Sequence, residues 1–116
     1  MKLSRYPFGT LTVTEDAKAL INKILASGRI SSGKYVRALE KAFASLVGVS
    51  EAVAVSSGTD AVALALAVLY DYGASRGDEI IMPALTFIGT ANAVLQAGFT
   101  PVFVDISLDT LSIDHT

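Results

Sequence analysis

A chain of 116 residues has room for one compact domain and not for two. A net charge of −2, no cysteine and a single histidine, His115, exclude a basic nucleic-acid surface, a disulfide framework, a thiolate site and an imidazole-based metal site or triad within this chain. With 52% hydrophobic and 17% charged residues the chain is richer in apolar side chains than a typical small domain, so a further segment or a second subunit is expected to cover part of them.

The segment from Met1 to Gly9 lacks the apolar run of a secretion signal, and residues 1–13 read as an extended N-terminal arm. Thr14 followed by Glu15 and Asp16 marks a helix start, a capping oxygen with acidic residues near the positive end of the dipole. Ala17, Leu20, Ile21, Ile24 and Leu25 then recur at helical spacing, and Gly28 stops the helix. Arg29 to Gly33 is a loop. A second amphipathic helix carries Val36, Leu39, Phe43, Leu46 and Val47 on one side and Lys34, Arg37, Glu40 and Lys41 on another, and Gly48 ends it.

The pattern then changes. Glu51 to Ser56 reads as a short buried strand, and Ser57-Gly58-Thr59-Asp60 as a turn. Ala61 to Tyr72 is apolar almost all round, which predicts a helix buried on most sides. Its longest apolar run, Ala61 to Tyr70, is too short to span a bilayer, so the expectation is a cytoplasmic protein away from membranes. Glu79 to Met82 is a second strand broken by Pro83, Phe87 to Ala97 a helix ended by Gly98, and Pro101 to Ile106 a third strand. Strand and helix alternate from residue 51 onward, which predicts an α/β fold with βαβ units and a mainly parallel sheet. Ser107 to Thr116 reads as a turn and a short extended piece leading into another element. We therefore expect residues 1–116 to form one incomplete domain, with residues 1–50 as the arm and two amphipathic helices and residues 51–116 as the start of the sheet.

Three places could carry chemistry. At Ser56-Ser57-Gly58-Thr59-Asp60 a helix start offers unpaired N–H groups, Gly58 allows close approach to the backbone, and Ser57 and Thr59 add hydroxyls. On these residues alone the stretch is either an anion site or a plain helix cap. Phe87 stands where ligands sit in parallel sheets, at the carboxyl end of a strand, as a ring-stacking aromatic or as a core residue. Asp105, near the end of the third strand, either touches a ligand or caps the following turn.

Taken together these segments resemble the DegT/DnrJ/EryC1/StrS aminotransferases. The resemblance is carried by Ile24 to Gly33, by Glu40-Lys41-Ala42-Phe43-Ala44 with Gly48-Val49, and by Ser56 to Ala61. It continues through Asp78 to Pro83, Thr86-Phe87, Ala91-Asn92-Ala93-Val94, Gly98, Pro101 to Ile106 and Ile113-Asp114. It implies part of the large domain of a fold type I enzyme that uses pyridoxal 5′-phosphate (PLP). Gly58, Thr59 and the Asp60 amide would hold the cofactor phosphate, Phe87 would stack on the pyridine ring, and the Arg29–Gly33 loop would lie near the sugar.

The family likeness further implies amino transfer from an amino acid, glutamate by family habit, to a nucleotide-linked keto sugar, in a homodimer. A sugar dehydratase of the same fold, with His in place of Lys, stays open, as does a non-catalytic anion-binding α/β module. The family's cofactor-attaching lysine and pyridine-pairing aspartate come later in the chain. Here every lysine (Lys2, Lys18, Lys23, Lys34, Lys41) precedes the phosphate turn, so these 116 residues are expected to hold no catalytic residue and to be inactive alone.

Overall fold

In a computed structural model, residue 9 and residues 11–114 are described; His115 and most of the N-terminal arm lie outside them. The elements in chain order are α1 (Glu15–Ala26), α2 (Lys34–Val47), α3 (Gly58–Ala67) with a 3-10 turn over Val68–Tyr72, β1 (Glu79–Pro83), α4 (Ile88–Gln96) and β2 (Thr100–Val104). They fall into two compact units, residues 1–52 and residues 53–116.

The first unit holds α1 and α2. Thr14 caps α1 by accepting the Ala17 N–H at 3.2 Å, and Gly28 leaves the helix at a φ of 66°. Gly48 ends α2 in the left-handed region, the conformation glycine adopts most cheaply. Both apolar stripes are open: α1 buries none of its residues and α2 buries only Ala44.

The second unit is a βαβ unit with α3 laid on its helix. β1 and β2 pair in parallel, from Glu79 opposite Thr100 to Pro83 opposite Val104. The Ala84 N–H donates to the Val104 carbonyl at 2.8 Å, which extends the ladder past Pro83. Pro83 is thus the last residue of β1 rather than the break after it. Met82, Ala91, Val94 and Phe99 form the core between the sheet and α4. Tyr70 stacks on Phe99 at 4.9 Å between ring centroids, and its hydroxyl donates to the Ala97 carbonyl at 2.7 Å. This pins the 3-10 turn to the end of α4.

Four expectations are corrected. Residues 51–56 form no strand: the sheet holds only β1 and β2, and this extended segment joins no ladder among the described residues. The apolar segment after Asp60 is not buried: α3 has no buried residue, and Val62, Leu64 and Val68 are all exposed. Its pattern marks surface that wants covering, and within this unit α4 covers one side only. The helix also begins earlier, at Gly58, and tightens after Ala67. β2 stops at Val104; Ile106 instead makes an antiparallel bridge to Ile113. No helix among the described residues is long and apolar enough to cross a membrane.

Candidate functional site

Ser57 is the N-cap of α3, in extended conformation, and its Oγ accepts the Asp60 N–H at 3.1 Å. The same hydroxyl donates to Asp60 Oδ2 at 2.9 Å, and the Ser56 hydroxyl donates to that oxygen as well. Ser57 thus supplies the N-cap half of a capping box, and the Asp60 carboxylate closes back on two serine hydroxyls rather than on the N-cap backbone N–H. Hydrogen bonds from Ser56 first and Ser57 second hold the Asp60 carboxyl below the usual carboxylate range. The cap is therefore real, and it commits the Asp60 N–H to Ser57 Oγ.

The cap leaves the first two helical N–H groups, those of Gly58 and Thr59, without an intrahelical acceptor. No atom lies within 4 Å of where a side chain on Gly58 would begin, so the backbone there is open to an anion. The helix dipole adds partial positive charge at the same place.

Phe87 is the N-cap residue of α4, with no side-chain cap bond, and the residue is 69% exposed. Gly89 connects it to the turn. A Cβ on Gly89 would lie 2.7 Å from Thr59 Oγ1 and 3.0 Å from Phe87 Cδ1. The first turn of α4 thus passes close to the start of α3, and the Thr59 hydroxyl and the Phe87 ring meet over a buried glycine. Sequence reasoning named Gly58, Thr59, Asp60 and Phe87 but missed Gly89. Its signal was a glycine in the first turn of the helix predicted from Phe87, a place where a missing side chain lets another element approach closely.

Asp105 serves its own turn. Its Oδ1 accepts the Ile106 N–H at 2.8 Å and its carbonyl accepts the Asp114 N–H at 2.9 Å. The Arg29–Gly33 loop belongs to the first unit, where it borders a pocket between the end of α1 and the start of α2. Lys18 pairs with Glu15 on the surface of α1. Among the described residues no cluster of His, Cys, Asp and Glu could hold a metal ion.

Known proteins resemble this chain in sequence and in fold. The chain is 42% identical over 108 residues to the spore coat polysaccharide biosynthesis protein SpsC of Bacillus subtilis, covering 93% of this chain and 27% of that protein. It is 36% identical over 119 residues to the 3-oxo-glucose-6-phosphate:glutamate aminotransferase of the same organism, covering 97% of this chain and 26% of the relative. Among solved structures, the GDP-4-keto-6-deoxy-D-mannose-3-dehydratase of E. coli with bound hydrated PLP superposes with a TM-score of 0.82 at 35% identity, over 95% of this chain and 29% of that one. The PLP form of Spr1654 from Streptococcus pneumoniae, described as a sugar aminotransferase, gives 0.80 at 31% identity, over 96% and 28%. The chain spans less than a third of the length of each of these proteins. The sequence profile of the DegT/DnrJ/EryC1/StrS aminotransferase family matches residues 12–116, and the chain belongs to that family.

Proposed function

We propose that this chain supplies the phosphate- and ring-holding start of a PLP site in an enzyme that moves an amino group from glutamate to a nucleotide-linked keto sugar. The observation that carries the reading is the convergence of the open Gly58 and Thr59 N–H groups, the Thr59 hydroxyl and the exposed Phe87 ring at one end of the βαβ unit. These groups fit PLP, which needs anion donors at one end and a flat apolar contact at the ring.

The bound cofactor supplies an electron sink for the amino group's chemistry. The Gly58 and Thr59 amides and the Thr59 hydroxyl would donate to its phosphate. The Asp60 carboxylate stays out of that contact, because two serine hydroxyls already hold it. Phe87 would offer the cofactor ring a flat apolar face and keep water from it. The amine that attaches the cofactor would come from outside these residues, because in the family that lysine follows the phosphate turn and here none follows Lys41. Residues 1–116 then form part of a larger cofactor-binding domain.

A second reading keeps the same cradle in a sugar dehydratase, and the likeness to the E. coli dehydratase favours weighing it. The full-length protein, incubated with glutamate and a nucleotide-linked keto sugar, decides between them. The reading expects 2-oxoglutarate in equal amount with an aminated sugar. A deoxygenated sugar without retained nitrogen supports the dehydratase, and no PLP absorbance band after dialysis contradicts both.

A further inference from the structure

We propose that Thr86 and Thr90 are positioning residues for Phe87: their paired hydroxyls close the chain around it and fix how its ring is presented. This rests on the reading of Phe87 as the face on which the cofactor ring lies.

Phe87 is poorly held by the usual means. It is 69% exposed, so little packing fixes it. As the N-cap of α4 it makes no side-chain cap bond, since its side chain carries no polar atom. A large apolar residue where Ser, Thr, Asp or Asn would cap gives up stability at that helix start, a departure of the kind found where a side chain is kept for another use. What constrains this residue lies on either side of it.

Two bonds do so. Thr86 Oγ1 and Thr90 Oγ1 lie 3.1 Å apart and share a hydrogen bond in which either can donate. The Thr90 N–H donates to the Phe87 carbonyl at 2.9 Å. Thr90 thus holds the segment twice, through its amide to Phe87 and through its hydroxyl to the residue before it. A helical threonine hydroxyl commonly bonds back to a backbone carbonyl of the preceding turn. Here it meets the side chain four residues back instead. The pair fixes the angle at which the chain enters α4, as a staple of two apolar residues does elsewhere.

That angle decides where the ring goes. Phe87 is extended, with φ −70° and ψ 139°, and the chain turns helical directly after it. A change of angle there swings the Cα–Cβ bond and the ring with it. On its other side the ring meets Gly89, where a Cβ would lie 3.0 Å from Cδ1 and 3.1 Å from Cε1. The hydroxyl pair sets the direction of the ring, and the bare backbone of Gly89 lets it settle there.

The worth of the pair depends on its surroundings. Thr86 is exposed and Thr90 half-buried, so water competes for both hydroxyls in the unloaded protein. A ligand on the neighbouring Phe87 would displace part of that water, and a hydrogen bond strengthens as the local dielectric falls. The pair therefore contributes more to cofactor binding than to fold stability.

The test uses the full-length protein and three readouts: PLP absorbance titration, the visible circular dichroism band of bound PLP, and the thermal midpoint of the unloaded protein. Thr86→Val and Thr90→Val keep the branching and volume and remove one hydroxyl each. Each should weaken PLP binding about 2- to 10-fold and alter the dichroism band, with the unloaded midpoint nearly unchanged. The double variant should lose no more than either single one, because the same bond is removed. Thr90→Ser, which keeps the hydroxyl, should bind PLP as the parent does. In a Phe87→Ala background neither valine should weaken binding further. The proposal is overturned if both valine variants keep the parent's affinity and dichroism band, if only the unloaded midpoint falls, or if their losses persist in the Phe87→Ala background. Phe87→Ala binding PLP as the parent does would overturn the stacking role and this proposal with it. A weakened Phe87→Ala beside parent-like threonine variants would sink this proposal alone.

Discussion

Asp60 accepts two serine hydroxyls at the head of α3, and its ionised form is the one they favour. Its folded-state pKa is therefore lower than in the unfolded chain. The stability it contributes is present above the unfolded value and is lost as pH falls through the folded one. In the full-length protein, Asp60→Asn should lower the urea midpoint at pH 7 and lose less on acidification than the parent does; parallel pH profiles would contradict this. Gly89 sits opposite in kind, useful for the side chain it lacks. A glycine in a helix costs about 0.5–1 kcal/mol relative to alanine, and here it leaves space for Thr59 Oγ1 and the Phe87 ring. Thr59 can turn away from a single methyl, but the branched side chain of Gly89→Val reaches both neighbours. That variant should lower PLP affinity about 10-fold by displacing the hydroxyl, read by absorbance titration.

Among the elements, the contact between the 3-10 turn and α4 holds α3 to the core. Tyr70→Phe removes only the hydrogen bond to the Ala97 carbonyl and keeps the stack on Phe99. It should cost about 1 kcal/mol, whereas Met82→Ala, which empties a core position 2% exposed, should cost about 2–5 kcal/mol. Chemical denaturation of the full-length protein gives both numbers, and equal costs would contradict this ranking. The helix ends were legible in the sequence because they are local chemistry: Thr14 caps α1, and Gly28, Gly48 and Gly98 leave their helices at positive φ. The βαβ unit was legible too, since its apolar runs alternate at the right lengths. The strand expected at 51–56 and the burial expected for α3 were not, because both depend on neighbours that no local pattern specifies. For the candidate site, the Ser57–Asp60 turn and Phe87 could be named from residue types. Their meeting over Gly89 could not, since it depends on how α3 crosses α4.

At the scale of the molecule, the apolar content that stood out in the composition is found on the surface. Leu25 on α1, Leu39 and Leu46 on α2, and Ile81 and Phe103 on the sheet are each more than half exposed. Surface of this kind marks interfaces. We expect the full-length protein to sediment as a homodimer at micromolar concentration, and a monomer there would contradict that expectation. The central claim is that the start of α3, with Phe87 above it, holds the PLP phosphate and ring. It is tested most directly by titrating PLP into full-length protein carrying Thr59→Val. That change keeps the volume and removes one hydroxyl, and a hydrogen bond to a charged group is worth about 1.5–3 kcal/mol, so affinity should fall about 10- to 100-fold. Affinity equal to the parent's would show that the phosphate is not held at Gly58 and Thr59.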